Sequence, residues 1–136
     1  MDKRQLDYPA DKAEQLTDSA RKCLAQALDT AGLKPPDELR PSLQTSFHRV
    51  TFASRGGSER LTCDFGVRLA NLDGRSVQLK TDLVLVETKT EGGDSLADRV
   101  RTHLDIQSIS LSKYRVGTSL VGDVTSTTRP GSDLFG

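Results

Sequence analysis

Charged side chains recur with strand spacing along the middle of the chain, at positions where they could bind phosphate. Arg49 lies in one run of alternating residues, Arg60 lies in the next, and Glu87 and Lys89 end a third. Because side chains alternate between the two faces of a strand, Glu87 and Lys89 point the same way. Arginine presents a rigid fork that matches phosphate oxygens, and glutamate can hold a divalent metal that bridges them. Two interpretations follow: a charged site for phosphate groups, or a solvated sheet face with ordinary cross-strand pairs.

Three stretches of alternating residues predict the strands that carry these charges. They read "LQTSFHRVTF", "RLTCDFGVRL" and "VQLKTDLVLVETK", and the last is either one bent strand or two short ones. The connections are the Gly- and Ser-rich "ASRGGSE" and the Asp-Gly turn of "ANLDGRS". Short connections between strands predict an antiparallel meander.

Alignment of the strands by their polar residues predicts two unlike faces. The polar face would carry Arg49, Arg60, Thr62, Asp64, Glu87 and Lys89. The opposite face would carry the apolar Val50, Phe52, Leu61, Cys63, Phe65, Val84 and Val86, which helices could cover. Asp64 either supports a metal or pairs with Arg60 or Arg68, and we favour pairing.

The first part of the chain predicts an amphipathic helix over residues 11–32. Small and apolar residues recur there at steps of three and four, which makes one apolar stripe. Asp11 and Glu14 match a capping box, and Gly32 stands where helices end in the left-handed region. We assign residues 1–32 to an N-terminal helical segment. The proline-rich residues 33–41 then form a connector, because proline cannot continue a helix.

Helical spacing returns after the strands. Ser95 and Asp98 resemble a capping pair, followed by a one-sided stripe of Leu96, Val100 and Leu104. The stretch "SISLSKYRVGTSLVG" predicts a turn and a short helix. The polar tail, residues 122–136, is expected to be flexible. The fold class is therefore α+β, an antiparallel sheet with flanking helices.

Composition and charge balance limit the classes of function that the chain can have. The chain of 136 residues has 19 basic and 19 acidic side chains, a balance that argues against a general nucleic-acid binder. Cys23 and Cys63 lack metal or redox spacing and are interpreted as reduced. The N-terminus has no apolar leader and no stretch is long enough to span a membrane, so we expect a cytoplasmic protein.

Five short motifs, in order, resemble the VTC domain of polyphosphate polymerases, a member of the CYTH-like triphosphate-tunnel group. They are Leu39 with Pro41, then "FHRVTF", "RLTCD", "ETK" and "SKY", and they span roughly residues 33–121. Phe47 stands where the family has a tyrosine. Family domains are about twice this length, so the resemblance covers only their C-terminal half. It implies a partial tunnel barrel, so the chain would be a half-domain, a degenerate relative, or one partner of an assembly in which a second copy or a partner segment completes the barrel.

The resemblance also implies roles for individual residues. Arg49 and Arg60 would hold phosphates, Lys89 would line the tunnel, and Lys113 would contact phosphate or the growing chain. Glu87 would bind Mn²⁺ or Mg²⁺. Arg49, Arg60 and Glu87 would form the catalytic set. The implied substrates are ATP and inorganic polyphosphate, and the implied reaction transfers the γ-phosphate of ATP to a polyphosphate chain. The alternatives are a non-catalytic module that binds polyphosphate or nucleotide phosphates, and a truncated structural remnant.

Overall fold

The computed structural model describes residues 6–93, 95–122 and 129–136 of the chain, which divides into two units, Met1–Pro41 and Ser42–Gly136. The boundary lies within the region predicted as one domain over residues 33–121. The proline-rich connector therefore belongs with the N-terminal helix.

The helix of the first unit begins later than its sequence pattern predicts. Residues Ala10–Lys12 form a separate 3-10 turn, and helix α1 spans Asp18–Thr30. The N-cap is Thr17, whose hydroxyl accepts a hydrogen bond from the backbone N–H of Ala20. The predicted capping box at Asp11 is therefore wrong, because the hydroxyl of Thr17 satisfies a free N–H of the first helical turn.

The predicted end of this helix is confirmed. Gly32 has φ +69°, and its N–H donates to the carbonyl of Asp29 at 2.9 Å. The N–H of Leu33 reaches back to the carbonyl of Leu28 at 2.9 Å, which is the hydrogen-bond pattern of a left-handed helix end. Residues 33–41 contain no helix or strand, as the prolines predict.

The second unit contains a four-stranded antiparallel sheet built around one long strand. The strands are β1 (Gln44–Ala53), β2 (Glu59–Ala70), β3 (Ser76–Gln78) and β4 (Leu85–Thr90). Strand β2 pairs with β1 along one edge, and on its other edge with β4 over its first half and β3 over its second. The α+β class is confirmed, and the third predicted stretch forms two short strands. The simple meander is wrong, since β4 pairs with β2 rather than with β3.

A bulge in β2 decides which side chains share a face. Between the pairs Ser46–Arg68 and His48–Phe65, β1 has one residue whereas β2 has two, Gly66 and Val67. Gly66 takes φ +60°, the left-handed conformation that a bulge of this kind needs. The extra residue shifts the alternation, so that Val67 follows Asp64 on the same face.

We call this the inner face of the sheet. Its first half is polar and its second half is apolar, and along β2 it consists of Arg60, Thr62, Asp64, Val67 and Leu69. Helix α3 (Lys113–Val121) packs against the apolar half. The buried core consists of Val67, Leu69, Leu79, Val116 and Phe135.

The C-terminal residues contribute to this core. Phe135 is 8% exposed and forms an isolated antiparallel bridge with Leu79, next to a 3-10 turn over Ser132–Leu134. Residues 129–136 are therefore packed, against the expectation of a flexible tail. Residues 123–128 of that tail lie outside the described residues.

The opposite, outer face of the sheet differs from the prediction. It carries Val50, Phe52, Leu61, Cys63, Phe65 and Val86, which helices were expected to cover. Phe52 is 60% exposed and Val86 59%. The expectation fails because the bulge provides an apolar area on the inner face, and α3 packs there.

Helix α2 (Leu96–His103) leaves its own apolar stripe exposed as well. Its predicted capping box is confirmed: the Ser95 hydroxyl accepts from the N–H of Asp98, whose carboxylate accepts from the N–H of Ser95. Polar contacts fasten the helix to the sheet. Thr88 donates to Asp98 at 2.9 Å, and the carboxylate of Glu59 accepts from the N–H of Leu96.

Among the residues described, no helix is both long and apolar enough to cross a lipid bilayer.

The bulge predicts a specific response to substitution. Gly66→Ala should lower the free energy of unfolding by about 1–2 kcal/mol, because alanine is strained at positive φ. Its Cβ would meet only His48 at 3.6 Å, an ordinary contact, so the cost is conformational. Urea unfolding measures the change. Gly92→Ala is the matched control, because its φ is not positive and its added Cβ meets open space. Equal effects of the two substitutions would contradict the role of the bulge.

Candidate functional site

The polar half of the inner face contains the strand residues that were predicted from the sequence to bind phosphate or metal. The register places Arg49 beside Asp64, Thr62 beside Glu87, and Arg60 beside Lys89. Side chains directly opposite on neighbouring strands are about 5 Å apart at Cβ, so these groups form one patch. The structure thus brings Arg49, Arg60, Glu87 and Lys89 onto one surface, as the alternation predicts.

A buried carboxylate, Asp64, joins two of the cations. Arg49 donates to it side-on, from Nε to Oδ1 at 2.6 Å and from Nη2 to Oδ2 at 2.7 Å. Lys113 Nζ lies 2.7 Å from Oδ2. Asp64 is only 2% exposed. A buried carboxylate is costly unless it is paired, and two cations meet that condition here.

The partners of Asp64 differ from those expected from the sequence. Neither Arg60 nor Arg68 pairs with it. Arg60 lies one row further along the sheet, beside Lys89. The bulge turns Arg68 to the outer face, where its guanidinium donates to the hydroxyl of Ser76 at 3.1 Å. Asp64 does form ion pairs, as expected, but its partners are Arg49 and Lys113.

The ion pairs shift the titration of both strand residues. The guanidinium of Arg49, followed by the ammonium of Lys113, lowers the pKa of Asp64 to about 2 against the opposing effect of burial. In return, the hydrogen bond to Asp64 raises the pKa of Arg49. Asp64 is therefore ionised and Arg49 is charged at neutral pH.

Lys113 reaches this cluster from a different element. It is the first residue of α3, whose N-cap Ser112 accepts a hydrogen bond from the N–H of Arg115. Because the next turn of α3 buries Val116 in the core, the start of the helix is held over Asp64. The "SKY" motif identifies Lys113, but its partner is visible only in the fold.

Phe47 is also part of the site, a role that its residue type did not predict. Its ring centroid lies 4.9 Å from the guanidinium carbon of Arg49 and 5.1 Å from Nζ of Lys113. Both distances are typical of cation–π contacts. The available signal is its spacing of two residues from Arg49, which places both side chains on one strand face.

The remaining charges lie along the edge strand. Lys89 Nζ is 3.0 Å from Glu87 Oε1, and both side chains are about half exposed. Arg60 is exposed, and its side chain makes no hydrogen bond or ion pair with another described residue. This row is therefore solvated and adjustable, in contrast to the buried cluster at Asp64.

An open groove of about 990 Å³ runs beside β4. Arg60, Glu87 and Lys113 line it, together with apolar residues of the outer face of the sheet, of α2 and of the segment that follows α2. The groove is large enough for several phosphate groups, since ligand sites in proteins typically measure about 300–1,000 Å³.

The described residues contain no group of three or more His, Cys, Asp or Glu side chains placed to hold a metal ion. Magnesium and manganese sites that serve phosphate ligands often use one or two carboxylates, and the phosphates supply further oxygens. The half-exposed Glu87 fits a site of that kind. Asp64 does not, because its two oxygens already accept from Arg49 and Lys113.

The low pKa of Asp64 predicts a pH dependence of stability. A carboxylate whose pKa is lowered by folding adds stability above its unfolded pKa, near 4, and this stability is lost as pH falls toward 2. We expect the free energy of unfolding of the wild type to fall by about 2 kcal/mol more than that of Asp64→Asn between about pH 5 and about pH 2. Urea titrations over this range measure it.

Asp82→Asn is the control for this measurement, because Asp82 is exposed and lies outside the cluster. Its pH profile should follow that of the wild type. A profile of Asp64→Asn parallel to the wild type would show that the ion pairs do not stabilise the fold.

Comparison with protein-family models matches residues 2–121 to the VTC domain. The match extends over the N-terminal helix, beyond the region from residue 33 onward in which the motifs were recognised. A search of curated proteins and a search of solved structures found no match. Because the family match covers most of the sequence and includes every strand, the chain belongs to the VTC domain family.

Proposed function

We propose that the inner face binds the phosphate groups of ATP and inorganic polyphosphate. Membership of the VTC domain family indicates a function related to polyphosphate polymerases. The observation that carries the finer proposal is the presence of four cations, Arg49, Arg60, Lys89 and Lys113, on the inner face, where Arg60 and Lys113 also line the groove. Two carboxylates share that face, so it has net positive charge although the chain as a whole is neutral.

Two of the four cations are held in place by neighbouring side chains, and the other two can move. Arg49 and Lys113 are held by Asp64 and by the ring of Phe47, so a phosphate meets them in place. Arg60 and Lys89 are exposed and can move to a phosphate further along the chain. Fixed donors are the more effective at stabilising developing charge, because they need no reorganisation during the reaction.

For transfer of the γ-phosphate of ATP to a polyphosphate chain, these cations would align donor and acceptor and offset the charge of the transferred group. Glu87 would hold Mn²⁺ or Mg²⁺, which when bound supplies charge neutralisation between phosphate oxygens. The reaction needs no nucleophile from the protein, since the attacking oxygen belongs to the acceptor phosphate.

A non-catalytic phosphate-binding module is the second candidate, and the open sheet favours it. The described residues form four strands that do not close on themselves. A closed barrel with a filled or tunnel-like interior needs about eight strands. We propose that a second copy or a partner segment completes a triphosphate-tunnel barrel of the CYTH-like type when the chain acts as an enzyme.

Binding to tripolyphosphate tests the phosphate site. Arg60→Ala should weaken binding about tenfold, because it removes one charge-assisted contact. Since Arg60 has no ion pair among the described residues, its removal should leave stability nearly unchanged. Calorimetric titration at low salt measures the affinity, and a repeat at higher salt measures how far salt weakens the binding.

Arg55→Ala is the matched control for Arg60→Ala, because it removes the same charge from the exposed turn between β1 and β2. The affinity of Arg55→Ala for tripolyphosphate should stay within about twofold of the wild type. Loss of one charge-assisted contact would change it by more than that. If Arg60→Ala and Arg49→Ala both bind as the wild type does, the inner face is only a solvated surface.

Turnover separates the enzyme from the binding module. If the chain is a polymerase, ATP and Mn²⁺ should yield ADP and longer polyphosphate, and Glu87→Ala should abolish this activity while tripolyphosphate binding without metal persists. Light scattering with and without tripolyphosphate and Mn²⁺ then shows whether activity requires a dimer. Tight binding without ADP release would identify the binding module.

A further inference from the structure

Asp64 stands out within the proposed phosphate site, because a negative charge there should oppose the binding of an anion. It is the most buried charged group of the inner face, and its carboxylate touches both Arg49 and Lys113. In a site whose only task was to collect positive charge, a neutral residue at this position would be better. The contacts of Asp64 indicate a different task.

The geometry of the Arg49 contact leaves that side chain able to bind a ligand. Asp64 accepts from Nε and from one hydrogen of Nη2. Both hydrogens of Nη1 and the second hydrogen of Nη2 remain available for phosphate oxygens. The side-on pair therefore fixes the plane and direction of the guanidinium, while Arg49 remains 38% exposed at its side chain.

Lys113 is held in a comparable way. Its ammonium gives one hydrogen to Asp64 Oδ2 and faces the ring of Phe47, and the other hydrogens stay available. A lysine side chain loses considerable rotational entropy when a ligand orders it. The contact with Asp64 orders Lys113 before a ligand arrives, so part of this cost falls on folding rather than on binding.

The two cations come from separate elements, β1 and α3, and Asp64 of β2 is the group that connects them. We propose that Asp64 is a positioning residue for phosphate binding: it holds Arg49 and Lys113 at a fixed separation, directs their free N–H groups at the ligand, and remains bound to both when phosphate is present. This inference rests on the proposed phosphate site and adds the residue that preorganises it.

The substitution Asp64→Asn gives opposite results under the two explanations. If the charge of the site alone matters, removing a carboxylate should tighten tripolyphosphate binding. If Asp64 positions the cations, binding should weaken by about fivefold or more, because an amide has one acceptor oxygen and its NH₂ group repels a cation. Calorimetric titration is run at a temperature at which thermal scans show both proteins to be folded.

Asp82→Asn is again the control, since it changes the net charge equally from an exposed site. Its affinity should stay within about twofold of the wild type, as long-range screening predicts. Equal or tighter binding by Asp64→Asn would overturn the positioning role. Failure of the wild type itself to bind tripolyphosphate would instead overturn the proposed function.

A measurement on the wild type avoids any dependence on the folding of the variant. In nitrogen-15 NMR spectra the Arg49 Nε–H resonance, assigned from its loss in Arg49→Lys, should be protected from exchange with water by its bond to Asp64. Saturation with tripolyphosphate should leave this resonance protected and at nearly the same shift. Loss of protection would mean that phosphate displaces Asp64, and the inference would be wrong.

Discussion

The arrangement of the inner face depends on one ion-paired cluster, in which a buried aspartate joins a strand arginine to a helix lysine. Removal of Asp64 from water is unfavourable, and the two cations offset that cost only if β1, β2 and α3 are all in place. The cluster is therefore favourable only when these three elements are packed together, and it is also part of the site. Phe47 adds to it, because its ring lies against both cations and limits where they can move.

The bulge at Gly66 makes this cluster compatible with a hydrophobic core. Without the extra residue, the alternation of β2 would place Asp64 and Val67 on opposite faces. With it, the charged half and the apolar half of β2 share one face, and α3 covers the apolar half while presenting Lys113 to the charged half. One short helix thus serves the core and the site together.

The same arrangement leaves the outer face of the sheet and the stripe of α2 exposed. The two faces of the sheet therefore have different roles in the second unit: the inner face supplies both the core and the cations, and the outer face contributes little to the burial of apolar side chains. An open sheet with free strand edges is also a surface to which further strands can add.

Much of the site could be read from residue types and spacing. Strand alternation placed Arg49, Arg60, Glu87 and Lys89 on one face, and turn residues placed the connections, because these are local properties of the backbone. The same patterns did not predict that α3 covers the inner face and leaves the outer face exposed, because a bulge is not visible in alternation and Gly66 reversed the face of every residue of β2 after it.

Local propensity and periodicity encode the α+β class, the strands, most of the helices and the positions of the charged residues. The folded chain adds the partners of Asp64, the participation of Phe47, the packing of Phe135 and the side of the sheet that α3 covers. These depend on contacts between residues far apart in the chain. Lys113 and Asp64 are separated by 49 positions, and no local pattern records their distance of 2.7 Å.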